Sequence, residues 1–290
     1  MKFFKILFSP ITAPISFIQI NFKATLLVLL LIFIYNSSNK ETLKHANLQE
    51  INLNGAIMDA SEILTKINSA KKDNNIKGVL LIVNSPGGAV APSVEIAYAI
   101  RELNRLKPVI AYASGTMASG SYYSAIWANK IIANPGSMVG SIGVIMQSYN
   151  ASKLLDNIGI KTQTVKVGTY KEAGTPTRAW SKEETAELNK VIKNTYDMFV
   201  SDVANARKLD IKDHKKFADA HIFTASQAKE VGLIDEVDTL SRAKELVVMR
   251  SGVKNPIWKR KDKIDKFMEK LVQGTISNIS MQLNNKLLAF

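Results

Sequence analysis

The sequence predicts an α/β fold built on a parallel sheet, and three observations carry that prediction. Gly78–Asn84 is a continuous apolar run without alternation, as expected of a strand buried on both faces of a parallel sheet. Ser93–Leu106 follows with Ile96, Ile100 and Leu103 at helical spacing, and Pro108 stops that helix before a second apolar strand, Val109–Ala113. Two strand-helix units in series imply right-handed crossovers, with ligands expected at the carboxyl ends of the strands. Both of those ends are Gly-rich, one at Ser85-Pro-Gly-Gly88 and one around Ser119.

At 290 residues and 46% apolar, the chain has room for one domain of about 200 residues with appendages. Its 38 Lys+Arg against 25 Asp+Glu give +13, and the excess sits largely at the two ends. That placement suits an anionic membrane surface better than nucleic acid. The absence of cysteine excludes disulfides, thiolate metal sites and a cysteine nucleophile. His45, His214 and His221 lie outside Gly-rich or apolar turns and are read as surface or loop residues, so any general base is expected to be another residue type.

Residues 17–35 are mostly apolar, with Lys2, Lys5 and Lys23 on their amino-terminal side. The segment is expected to be an uncleaved anchor with Lys23 reaching toward the headgroups, because no Ala-x-Ala type cleavage site follows it. The lysine bias puts the amino terminus in the cytoplasm and the bulk of the chain outside it. Residues 1–45 are thus read as stub, transmembrane anchor and linker, 46–249 as one domain, and 250–290 as a basic amphipathic tail.

After the linker, Leu48–Ile57 offers a first strand and Ala60–Lys71 a helix. Past Ser119 a helix is expected to about Ala128, then short strands at Lys130–Ala133 and Gly140–Met146 around the turn Asn134-Pro-Gly136. Ser152–Asn157 reads as a helix, Lys161–Val167 as a strand and Gly168–Pro176 as a loop. Capping boxes at Ser181/Glu184 and Thr224/Gln227 open two more helices, the first with Leu188, Ile192, Tyr196, Phe199 and Val203 in register. Leu233–Val237 and Ser241–Met249 close the domain as an edge strand and a helix.

Ser119 ends the second strand where an apolar helix begins, so its hydroxyl would lie near free backbone N–H groups that favour a developing oxyanion. The alternative is a plain helix N-cap. A serine nucleophile needs a base, which with histidine set aside leaves a carboxylate or a lysine made neutral by burial. Lys171, in the loop Tyr170-Lys-Glu-Ala-Gly174, stands out among lysines that otherwise fall on helical surfaces.

Six motifs in this order resemble the signal peptide peptidase A family, membrane-bound serine proteases with a Ser-Lys dyad: Asn84-Ser-Pro-Gly-Gly88, Ala118-Ser-Gly-Ser-Tyr-Tyr123, Asn134-Pro-Gly136, Gly140-Ser-Ile-Gly-Val144, Gly168-Thr-Tyr-Lys-Glu-Ala-Gly174 and Ala228-Lys-Glu-Val-Gly-Leu-Ile-Asp235. The resemblance covers about residues 48 to 249. It implies a Clp protease/crotonase-like fold of repeated β-β-α units, Ser119 as nucleophile, Lys171 as general base, Ser141 orienting that lysine, and the N–H groups of Gly88 and Gly120 as the oxyanion hole. One such donor is worth about 2.7 to 4 kcal/mol. Burial lowers a lysine pKa from ~10.4 by as much as ~3 to 5, which brings a neutral amine within reach of physiological pH. Two positions depart from the family pattern: Ser121 stands where glycine is usual, and Glu172 where a small serine is common. A carboxylate beside Lys171 would blunt the base, unless an extended loop turns Glu172 to the opposite side.

The resemblance further implies a single-pass protein of the bacterial inner membrane with its catalytic domain on the periplasmic side. It would cleave remnant signal peptides and other unfolded or apolar segments without cofactor or metal. It would act as a homo-oligomeric ring in which Ser119 of one copy can meet Lys171 of the next, and would bind no nucleic acid. The rival readings are a crotonase-like acyl-CoA enzyme and a catalytically inactive peptide-binding scaffold of the same fold.

Overall fold

The computed structural model describes residues 21–24, 26–30 and 45–259, and the chain divides after His45. Before that division, residues 22–24 and 26–30 are helical and Leu26, Leu27, Val28, Leu29 and Leu30 are exposed. The rest of the expected anchor and the basic tail from Arg260 onward lie outside the described residues. Among the described residues no helix is long and apolar enough to cross a membrane.

From Ala46 the chain is a mixed α/β unit on a largely parallel sheet. β1 (Leu48–Asn54), β2 (Gly78–Ser85) and β3 (Val109–Ala118) run parallel, Leu48 opposite Gly78 and Val79 opposite Val109. The crossovers are α1 (Ser61–Lys72) and α2 (Val90–Leu106). The second starts three residues ahead of expectation because Pro92 falls in its first turn, where a missing N–H removes no intrahelical bond. Val79, Leu81 and Val83 pack with Ile67, Ile96 and Ile100, whereas Leu80 and Ile110 pack on the opposite face with Leu246 and Val247. Both faces are covered, which is why β2 carries no polar alternation; each such fully buried side chain contributes about 1.5–3 kcal/mol.

β3 outruns its neighbour. Ile110–Ala113 pair with β4 (Lys130–Ala133), while Thr116–Ala118 pair with β5 (Met138–Gly140). Between β3 and β4 sits α3 (Gly120–Ala125), shorter than expected, its last residues giving way to turns. α4 (Ser152–Asn157) and α5 (Lys182–Arg207) follow, the latter opened by a complete capping box in which Ser181 and Glu184 each accept from the other's backbone N–H. A 3-10 turn (Ile211–Asp213), α6 (His214–Phe217), β6 (Ile222–Thr224), α7 (Ala225–Glu230), β7 (Glu236–Val237) and α8 (Leu240–Ser251) complete the order, with β6 antiparallel to β5. The second capping box, Thr224 with Gln227, opens α7 as expected.

Two expected strands do not form. β5 stops at Gly140 rather than running to Met146, and Lys161–Val167 is irregular. Val165 and Val167 are almost wholly exposed. Alternating β-formers supply a face, but a strand also needs a neighbour to satisfy its N–H and C=O groups, and among the described residues none pairs with this stretch. At the other edge the described chain continues past Met249: Leu48 forms a parallel bridge with Trp258, and Asn47 N–H donates to Ile257 O at 2.8 Å.

Candidate active site

Where β3 leaves the sheet, Ser119 takes φ 54° and ψ −127°, a combination that costs a side-chain-bearing residue of order 1–3 kcal/mol. The turn is held around it: Ser119 N–H donates to Gly140 O at 2.8 Å and Tyr123 N–H to Ser119 O at 3.0 Å. Ser119 occupies the N-cap position of α3, yet its side chain makes no capping bond. The plain N-cap reading therefore fails, and the hydroxyl is left for other chemistry.

Beside it, the Ser85–Gly88 turn closes in. A Cβ on Gly87 would lie 2.7 Å from Gly120 N and 2.8 Å from Ser119 Cβ; one on Gly88 would lie 2.2 Å from Ile57 O. Only glycine permits this approach of two backbones. Ile57 N–H donates to Gly87 O and Ala89 N–H to Ile57 O, so the peptides flanking Gly88 are bonded. The N–H groups of Gly88 and Gly120 themselves have no partner among the described residues. Ser121, where a glycine was expected from the resemblance, is fully buried, and its Oγ accepts from Ala118 N–H at 2.9 Å and lies 2.7 Å from Ser85 O. The hydroxyl knots the two turns together rather than crowding them.

A cavity of about 870 Å³ opens over this floor, lined by Ser119, Gly88, Gly120 and Ser141 and walled by Val90, Val94, Ile192 and Phe199. Ser141, at φ 51°, is placed by its N–H, which donates to His221 O at 2.7 Å. Four of the five residues singled out from the sequence thus share one cavity.

The fifth does not. Lys171 is exposed on a loop of successive turns, its N–H on Gly168 O at 3.2 Å, and it does not line the cavity. Within one chain Ser119 and Lys171 are not brought together. Nor is the loop extended: Ala173 N–H reaches Tyr170 O and Thr175 N–H reaches Glu172 O. Glu172 is instead drawn off by ion pairs, 2.8 Å to Lys166 Nζ and 3.0 Å to Arg178 Nη2. Those bonds, Lys166 foremost, hold its carboxyl at about 2.

Other groups at the cavity were not legible in the sequence. Tyr123 lies on its wall, edge-on to Phe199 with ring centroids 4.8 Å apart. Burial and the Asp202 carboxylate that accepts its O–H raise its pKa far above neutral, so the phenol is a donor and not a base. Lys193, on the exposed side of α5, also reaches the cavity but is paired with Asp197 at 2.8 Å. Asp219 and Ala220, consecutive at φ 57° and 59°, complete the wall, with Ala220 N–H on Ile142 O at 3.0 Å. Asp tolerates the left-handed region, but nothing in the sequence marks Ala220 for it.

Residues 101–254 match the profile of peptidase family S49. A Methanocaldococcus jannaschii protein named as a protease is 42% identical over 198 residues, 68% of this chain and 64% of its own length. An Enterococcus faecium protein named as a signal peptide peptidase, SppA, is 34% identical over 236 residues, 73% of this chain and 69% of that one. The chloroplastic serine protease SPPA of Arabidopsis thaliana is 32% identical over 200 residues, covering 69% of this chain but 30% of the plant protein.

Proposed function

The chain belongs to peptidase family S49, and from that premise we propose that it is a membrane-anchored serine endopeptidase whose Ser119 is activated by Lys171. The observation that carries this reading is the turn at Ser119: a strained, uncapped serine at the floor of an apolar-walled cavity, with two unpartnered N–H groups beside it. Ser119 Oγ would bond to the substrate carbonyl carbon as its proton passes to the neutral Lys171 amine, and Gly88 and Gly120 would donate to the carbonyl oxygen as it becomes anionic. The resulting ammonium returns that proton to the leaving amine as the C–N bond breaks. A water molecule then repeats the sequence on the acyl ester.

Because Lys171 lies away from the cavity of its own chain, we read the dyad as completed between copies in a ring of the Clp protease/crotonase type. The exposure of Val165 and Val167 on the same arm supports that reading, since a neighbour would cover them. The apolar cavity suits extended, apolar peptide segments such as remnant signal peptides. The apolar segment from Phe17 with its flanking lysines supports anchorage with the domain outside the cytoplasm.

The test is peptide hydrolysis by the full-length protein, its Ser119→Ala and Lys171→Ala variants, and a mixture of the two. Both variants alone should be inert, and mixed assemblies should regain activity by pairing an intact serine with an intact lysine. Variants that cleave like the parent would remove the assignment; an inert parent would favour a peptide-binding scaffold.

A further inference from the structure

The segment carrying Lys171 is tied to the rest of the chain through its neighbour. Glu172 Oε2 takes Lys166 and Arg178 together, while Arg178 grips Glu184 with both arms of its guanidinium, Nη2 to Oε1 at 2.7 Å and Nη1 to Oε2 at 2.8 Å. Glu184 is a firm anchor. Its side chain is 4% exposed and accepts from Ser181 N–H at 2.9 Å in the capping box of α5. The far side of the loop is pinned as well, by Trp180 Nε1 on Thr175 O at 2.9 Å and Ala151 N–H on Pro176 O at 2.7 Å.

Within this cluster the charges balance. Glu172 and Glu184 are met by Lys166 and Arg178, while Lys171 has no ion pair or side-chain hydrogen bond among the described residues. A planar guanidinium can hold two carboxylates at once in fixed directions; an ammonium cannot.

We infer that Arg178 is a positioning residue for Lys171: by holding Glu172 against the first turn of α5, it keeps the carboxylate next to the lysine in sequence turned away from it and presents the amine unpaired on its loop. The inference rests on the reading of Lys171 as general base. Without Arg178, Glu172 keeps only the Lys166 ammonium, which does not fix its direction, and the carboxylate can turn toward Lys171 as well, which favours the ammonium and depletes the neutral amine.

The experiment compares pH–rate profiles of the full-length protein, Arg178→Gln, Arg178→Lys, Glu172→Gln, the double variant Arg178→Gln/Glu172→Gln, and Lys171→Ala, with a melting curve for each. In Arg178→Gln the limb that rises with pH as the base deprotonates should move up by about 1 pH unit and kcat at neutral pH fall about tenfold with KM little changed. The double variant should return to the parent's profile, because the misdirected carboxylate is gone; Arg178→Lys should not. A merely structural loss would leave the double variant as impaired as the single one. If Arg178→Gln does not fold, Glu172→Gln decides: it should titrate where the parent does, and a displaced limb would show that Glu172 already acts on the lysine, overturning the inference. If Lys171→Ala is inert while Arg178→Gln keeps the parent's profile or the double variant shows no rescue, the positioning role falls and the base assignment stands. Turnover by Lys171→Ala at the parent's rate would sink both.

Discussion

Gly88 and Gly120 bring two backbone nitrogens from different crossovers to one point: a Cβ on Gly120 would stand 3.4 Å from Gly88 N and 2.2 Å from Ser93 Oγ. Neither nitrogen has a partner among the described residues, and both look onto the cavity beside Ser119. Gly120→Ala should collide chiefly with the Ser93 hydroxyl, whereas Gly88→Ala collides with Ile57 backbone atoms at 2.2 to 2.7 Å. Gly88→Ala is therefore expected to be the worse of the two, lowering kcat by about 10² to 10³ through the displaced donor. Steady-state hydrolysis alongside thermal melting checks the order.

Ser121→Ala should destabilise the protein by about 1–3 kcal/mol, because it strands Ala118 N–H and Ser85 O in a fully buried place. Urea unfolding measures this directly. Turnover should fall with it, since the same hydroxyl ties the nucleophile turn to the glycine turn. A variant as stable as the parent would mean that the two turns hold their positions without it.

Tyr123→Phe keeps the ring on Phe199 and removes only the O–H given to Asp202. A half-buried carboxylate loses a donor, so stability should drop by about 1 kcal/mol. The shape of the pH–rate profile should not change. Loss of the rise with pH would instead assign proton transfer to the phenol.

The ion cluster around the Lys171 loop should respond to acid in one direction. Glu172 and Glu184 are held at about 2 in the folded chain, by Lys166 and Arg178 respectively, against an ordinary 4.5. A depressed folded value means stabilisation that is complete above the ordinary value and lost as pH falls through about 2. Melting temperature should thus decline between about pH 4.5 and about pH 2, and Glu184→Gln should make that decline shallower. An equal decline in both proteins would show that the cluster adds nothing to acid stability.

Where local chemistry decides the outcome, the sequence was enough. The unbroken apolar run of β2, the helical spacing of Ile96, Ile100 and Leu103, and both capping boxes each specify their element through contacts within a few residues or through simple burial. Serine at the end of β3 between Ala118 and Gly120 was legible for the same reason. What was not legible depends on chain segments far apart: the left-handed Asp219–Ala220 pair is fixed by its bond to Ile142, and the placement of Glu172 by Arg178 and Lys166. Lys161–Val167 shows the opposite error. Its pattern reads as a strand, but pattern says nothing of what lies alongside, and Val165 and Val167 meet solvent.

The bridge between Leu48 and Trp258, with Lys259 N–H on Leu48 O at 2.7 Å, has a practical side for anyone shortening this chain. A protein cut at Arg250, where the composition turns basic, would lose the strip that shields the outer rim of β1. Bare strand rims recruit other chains, so such a truncation should form ladders of mispaired molecules, whereas one ending just past Lys259 keeps the rim covered and should not.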